Sequence, residues 1–178
     1  MSNGTKVKYI GLFIIFNFVS YFSIQFFLTA SEYDFLTSFD HLIPFIPEFI
    51  WVYHTLIPII LITMFSFMIK KEVFLSAFTA YMIASIILST FYILFPSFYP
   101  RESFVDPVSI SGWLVELTRV IDGANNTFPS GHVTFAWLLA FFINLTQYAK
   151  KHTWIKLVFN TGIETTLYSR HLIWYNIG

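Results

Sequence analysis

The stretch from Phe49 to Phe95 reads FIWVYHTLIPIILITMFSFMI, then KKE, then VFLSAFTAYMIASIILSTFYILF. Each flank of the Lys70-Lys71-Glu72 break is free of Lys, Arg, Asp and Glu, and each meets the roughly 20 mostly apolar residues that a helix needs to cross a bilayer. A three-residue link leaves room only for a turn, so residues 49–69 and 73–95 are expected to form a tight antiparallel pair of transmembrane helices. Working outward, residues 9–30 and 132–149 are equally free of those four residue types, and Lys150 and Lys151 close the second. Residues 154–173 start as an apolar helix but carry Lys156, Asn160, Glu164 and Arg170. Ionisable groups at membrane depth face a bundle interior or a polar cavity, which suits a fifth span. The expected fold class is therefore all-α, a polytopic transmembrane helix bundle of four spans plus a fifth. It forms one membrane-embedded domain over 1–178, with an extramembrane loop over 96–131.

Composition agrees. Of the 178 residues, 56% are hydrophobic, 21% aromatic and only 11% charged, against about 25% charged in soluble domains. Ten Lys and Arg balance ten Asp and Glu, so no net basic charge is left to hold a nucleic acid by counterion release. The absence of Cys removes disulfides, thiolate metal clusters and a thiol nucleophile together. The first apolar run is longer than the core of a signal peptide and no small-x-small cleavage site follows it, so it reads as a retained anchor.

Two connections carry helical periodicity of their own. Between Asp34 and Glu48, Phe35, Leu36, Phe39, Leu42 and Ile43 recur at helical spacing before Pro44 and Pro47, as an interfacial segment does. In the long connection Ile110, Trp113, Leu114, Leu117, Val120 and Ile121 follow the i, i+3, i+4, i+7 pattern with Glu116 and Arg119 on the other side. A short helix lying on the membrane surface and a loop helix packed on the bundle both fit this pattern. Arg119 reads there as a surface residue paired with Glu116 or with a lipid headgroup.

Orientation follows from the basic residues. Lys6, Lys8, Lys70, Lys71, Lys150, Lys151 and Lys156 share one side, while Arg101, Arg119 and Arg170 fall on the other. By the positive-inside rule the amino terminus is cytoplasmic and the long connection is outside, with the plasma (inner) membrane as the expected location. That all three outer cations are Arg matters, because the planar guanidinium fork recognises phosphate where Lys offers a point charge.

The string Phe128-Pro129-Ser130-Gly131-His132 stands where this aqueous loop meets the fourth span. Pro129 fixes the chain direction, Ser130 can cap the helix, and Gly131 lets backbone approach a ligand, so the first-turn amides face an anion. His132 beside that anion can protonate an oxygen leaving phosphorus.

These residues resemble the central motif of the type 2 phosphatidic acid phosphatase superfamily. The likeness extends to IPFIPEFIWVY ahead of the second span and FPSFYPR after the third, which are similar to the branch containing lipid phosphatases and phosphoinositol or phosphocholine transferases; it runs from Asp40 to Tyr168. The resemblance implies metal-independent phosphoryl transfer through a phosphohistidine, with no cofactor and a lipid phosphate or other amphiphilic phosphate as partner. It implies Arg101 as a phosphate-binding residue, Ser130 and Gly131 as the phosphate cradle, and His132 as the general acid. The Lys that many members carry upstream of the Arg has no counterpart between Ser89 and Pro100.

The third family motif, an Arg, then a nucleophilic His, then an Asp four residues on, is matched only in part by TLYSRHLIWYNIG. With Arg170 as the motif Arg, the nucleophile position falls on Asn176. With His171 as the nucleophile, the Asp position holds Tyr175 and the Arg position Thr165. Arg170 and His171 are taken as the phosphate-binding and nucleophilic candidates. The family's sixth span has no counterpart, and a truncation or reading-frame change near His171 accounts for both departures as well as a divergent ending does. Without a working third motif the alternative is a non-catalytic protein that binds lipid headgroups. His41, His54 and His152 are assigned no role, and no His, Asp or Glu cluster has metal-ligand spacing. A transporter is disfavoured, because five spans show no inverted repeat and no paired intramembrane charge.

Overall fold

The computed structural model describes residues 1–28, 33–34, 46–66, 70–98, 108–123, 125 and 128–146. They form an all-α bundle. Its elements are α1 (Asn3–Phe27), a two-residue strand β1 (Tyr33–Asp34), a 3-10 turn (Pro47–Phe49) leading into α2 (Ile50–Ser66), α3 (Lys71–Leu94), β2 (Ser97–Phe98), α4 (Ile110–Ile121) and α5 (Gly131–Leu145). Besides α5, three helices begin at a side-chain or proline signal. Ser2 Oγ accepts from Thr5 N, Ser109 Oγ from Gly112 N, and Pro47 opens the turn before α2.

Helices α1 and α3 run parallel. Tyr9 packs edge-on against Phe74 and Phe78, Phe13 against Tyr81, and Tyr21 against Tyr92, each step one to three turns further along both helices. Two-residue strands β1 and β2 extend them and pair in parallel, Tyr33 with Ser97 and Asp34 with Phe98. Helix α5 runs back against α3, with Phe135 level with Tyr81 and Pro129 level with Tyr92. In α3 the buried positions Phe74, Ala77, Tyr81, Ser85, Leu88 and Tyr92 recur every three or four residues, one continuous stripe. Ala77, Ala136 and Ala140 lie in the core, and small residues of this kind let helix backbones come close without a void.

The outward faces are apolar as well. Leu12, Ile15, Phe18 and Val19 of α1, Ile83, Ile86 and Ile87 of α3, and Trp137 and Phe141 of α5 are all exposed. Patches of this extent call for an apolar surrounding. Two helices, α1 and α3, are long and apolar enough to cross a membrane, while Pro47–Thr63 and α5 are shorter apolar helices. At about 1.5 Å per residue, the 15 residues of α5 reach less far than the expected span 132–149. Helix α1 starts before the expected Tyr9 and takes in Lys6, whose ammonium lies over the Phe74 ring, 5.7 Å from its centre. The expected fifth span over 154–173 and the segment 35–45 lie outside the described residues.

Two expectations need correction. Among the described residues the expected pairing of α2 with α3 is not the main one: the main neighbours of α3 are α1 and α5, and α2 packs on α5, α4 and α1. A short link brings two helix ends together, but side-chain fit chooses which faces meet, and α5 offers α3 its Phe135, Ala136 and Leu139 stripe. Arg119 is not a surface residue. It does pair with Glu116, at 2.6 Å, but its side chain is only 9% exposed. Helix α4 packs through its narrow face, Gly112, Val115 and Thr118, which turns Arg119 inward and leaves Ile110, Trp113, Val120 and Ile121 exposed. The apolar stripe is thus the outer face of α4, available to an interface, and a different face docks the helix.

Candidate active site

The Ser130 turn is built as its residues dictate. Ser130 Oγ accepts from Val133 N at 3.2 Å, and the Ser130 carbonyl accepts from Thr134 N at 3.0 Å and Thr134 Oγ1 at 2.8 Å. The helical ladder therefore begins at Thr134, so the Gly131 and His132 amides are not consumed by it. The preceding loop is held from α3 and its extension. Tyr92 Oη donates to the Pro129 carbonyl at 2.9 Å, and the fully buried Ser97 accepts from Phe128 N at 3.0 Å. The Phe128–Pro129 bond is cis.

His132 lies at one end of a cavity of about 300 Å³ between α1, α2, α3 and α5. That end is polar, with Tyr21, Tyr53, Asp122 and Asn125 beside His132, and the cavity then passes between Ile14, Phe18, Ile57 and Leu88 to Phe13 and Phe135. The polar end belongs to the pole of the bundle where α1 and α3 finish and α2 and α5 start. Lys6 and Lys71 mark the opposite pole.

The His132 ring is stacked on the Tyr53 ring, centroids 4.0 Å apart and planes inclined by 24°. Tyr53 Oη donates to Asp122 Oδ2 at 3.2 Å, and Tyr21 Oη donates to Asp122 Oδ1. Asp122 is the residue that ends α4, its own amide bonded to the Thr118 carbonyl at 2.7 Å. One carboxylate thereby joins α1, α2 and α4 beside the histidine. Gly123 allows this approach, since a Cβ there would sit 2.5 Å from Gln25 Nε2 of α1. His54, assigned no role from the sequence, bonds through Nε2 to Thr118 Oγ1 at 2.8 Å and holds α4 against α2. Trp51 Nε1 does the same through Ser111 Oγ, at 3.1 Å. Burial pulls the Arg119 guanidinium below its ordinary value, and Glu116 opposes that shift.

Of the residues singled out by sequence, Ser130, Gly131 and His132 come together at the head of the cavity, whereas Arg101, Arg170 and His171 lie outside the described residues. Tyr21, Tyr53 and Asp122 were missed. The signal that could have found them is that the first three apolar stretches each place a Tyr near the same pole, at 21, 53 and 92, and that Asp122 is the nearest acidic residue ahead of the FPSGH string. Among the described residues no three His, Asp or Glu side chains converge on a point that could hold a metal ion.

A capped helix start with two amides outside the ladder, facing a cavity head with an imidazole on its wall, is suited to an anion with an acid beside it. No curated protein and no solved structure matches the chain. The sequence profile of the PAP2 superfamily matches residues 40–166, from the segment ahead of α2 to well past α5, and so takes in the whole Ser130 turn and the helices that frame it. The chain belongs to the PAP2 superfamily, a family of phosphatase-type enzymes.

Proposed function

We propose that this chain is an integral membrane phosphatase or phosphotransferase acting on a lipid phosphate from the non-cytoplasmic side. The observation that carries the reading is the position of His132. It stands next to Gly131 on the wall of a cavity lined also by Ile14, Phe18, Ile57 and Leu88, together with Asn17, Ser20, Ser85 and Ser89. A phosphate at that head has a helix start and an acid to meet it, and a hydrocarbon chain attached to the phosphate has Ile14, Phe18 and Leu88 to lie against. Four spans, α1, α2, α3 and α5, with a fifth over 154–173, set this pole opposite the Lys-marked one. The amino terminus then faces the cytoplasm, and the plasma membrane is the expected location.

In the reaction, His171 attacks phosphorus and the bond from phosphorus to the lipid oxygen breaks, with the His132 proton going to that oxygen. Water, or an alcohol in a transferase, then attacks the phosphohistidine. Its proton goes to His132 and the phosphate leaves, free or bound to the acceptor oxygen. Arg101 and Arg170 hold the equatorial oxygens, with Ser130 and the Gly131 amide. A second reading, a headgroup-binding protein without turnover, rests on the text around His171, where Tyr175 stands at the position of the motif Asp.

The test is phosphate release from a lipid phosphate in detergent micelles, with chelator present. The wild-type chain turns over, and His132→Ala falls by about 10² to 10⁴, the usual contribution of a general acid. Equal rates for the two chains refute the enzyme reading. Acid-quench trapping of a phosphorylated chain, lost in His171→Ala, separates turnover through His171 from headgroup binding alone.

A further inference from the structure

A general acid works only if its proton is aimed at the leaving oxygen, and a misplacement of about 1 Å can cost a factor of 100. His132 sits on the first turn of α5 and lines the cavity. What covers one face of the ring is Tyr53, stacked at 4.0 Å. The Tyr53 ring could itself be carried away by a change of rotamer about its Cα–Cβ bond. Its hydroxyl, donating to Asp122 Oδ2 at 3.2 Å, ties down the far end of the ring and so keeps it over the imidazole. The other carboxylate oxygen is taken by Tyr21 from the far wall of the cavity. The carboxylate is thus gripped from α1 and α2 while its backbone ends α4.

We infer that Asp122, held by Tyr21 and Tyr53, is a positioning residue for proton transfer by His132, acting through the Tyr53 ring on which the imidazole lies. The inference rests on the reading of His132 as the general acid. It adds three residues that belong to none of the phosphate-binding or proton-transferring positions assigned above.

Leaving-group dependence separates this role from plain structural support. An alkyl phosphate needs its departing oxygen protonated, whereas p-nitrophenolate departs without help. The experiment compares the rate at which an alkyl phosphate monoester and p-nitrophenyl phosphate phosphorylate the full chain in detergent micelles, the step in which the leaving oxygen is protonated. Tyr53→Phe keeps the stacked ring and removes its hydroxyl bond to Asp122. It is expected to slow phosphorylation by the alkyl phosphate about tenfold, with phosphorylation by p-nitrophenyl phosphate and inhibition by orthovanadate unchanged. Tyr21→Phe, which removes the bond to the other oxygen of the same carboxylate, is expected to show the same selectivity more weakly, and it carries the test if Tyr53→Phe does not fold. His132→Ala is the control, with the largest selective loss. If His132→Ala is selective but Tyr53→Phe and Tyr21→Phe lose nothing, or lose equally on both substrates, the positioning role is overturned and the general acid stands. If His132→Ala shows no selectivity, the general-acid reading falls and the inference falls with it.

Discussion

At the inner end of the cavity Phe13, Tyr81 and Phe135 meet ring to ring, with centroids 5.6 to 5.7 Å apart, whereas at the outer end Tyr21, Tyr53 and His132 are arranged around one carboxylate. Both ends use aromatic residues from α1 and α5 with one further helix, yet the means of holding them differ. At the inner end shape does the work. The single polar atom among the three side chains, Tyr81 Oη, is satisfied by the Phe135 carbonyl at 3.1 Å. At the outer end directional bonds do it, and the phenols would point elsewhere without Asp122. Close packing resists any change of volume, while a hydrogen-bonded cluster resists reorientation and tolerates changes that keep its bonds. The inner end should therefore govern stability and the outer end turnover.

The largest effect expected from this contrast is at Tyr81, which is fully buried. Tyr81→Ala leaves a void at the crossing of α1, α3 and α5 and should cost about 3 to 5 kcal/mol, read as a lowered midpoint of unfolding in detergent. Turnover per folded molecule should survive, since Tyr81 does not line the cavity. A cost under about 1 kcal/mol would break the comparison at its inner end. Ser130→Ala should be smaller and mixed. Losing the cap bond to Val133 should cost about 1 kcal/mol, and turnover should fall as well if the hydroxyl binds phosphate as proposed.

How much of this was legible in the sequence depends on range. The helical stretches were readable because each is a local run without charge, and the start of α5 because Pro129, Ser130 and Gly131 act on the backbone within a few residues of themselves. Which helices touch was not. A link of three residues made α2 and α3 look like partners, while the fit of Tyr81 against Phe135 and Phe13 was decided by side chains 54 and 68 positions apart. The Asp122 cluster is longer in range still, its bonds reaching back 69 and 101 residues. Arg119 was misplaced for a related reason. The apolar stripe on α4 suits a lipid-facing helix and a packed one alike, but the helix docks by the side of Gly112, Val115 and Thr118 and leaves most of that stripe exposed.

His54 tests whether the pole is held by α4 as a whole or by Asp122 alone. Its bond to Thr118 Oγ1 ties α4 to α2 about one turn from Asp122. Thr118 also donates to the Leu114 carbonyl, so it is not orphaned when the imidazole goes. His54→Phe should thus cost only about 0.5 to 1 kcal/mol, measured by the same unfolding midpoint, with turnover unchanged. A loss of turnover as large as that of Tyr53→Phe would show that the outer end depends on the docking of α4 in general and would blur the contrast with the inner end.

The smallest effect on stability is expected at Gly131, and it is the sharpest on function. The residue has no positive φ, and a Cβ built on it would lie 3.5 Å from Tyr92 Oη and 3.7 Å from Leu88 Cδ1, ordinary contact distances. Packing therefore gives no reason for a glycine at the head of α5. Gly131→Ala should leave the unfolding midpoint unchanged or raise it by the equivalent of up to about 1 kcal/mol, since Ala restricts the unfolded chain. The added methyl, however, stands on the wall of the cavity beside His132, where a phosphate held by the first-turn amides has to come close. Turnover should fall while stability holds, a pattern that neither Tyr81→Ala nor His54→Phe can produce. If turnover is also unchanged, the ligand does not approach the backbone at Gly131, and the cradle is reduced to the Ser130 hydroxyl and the His132 amide.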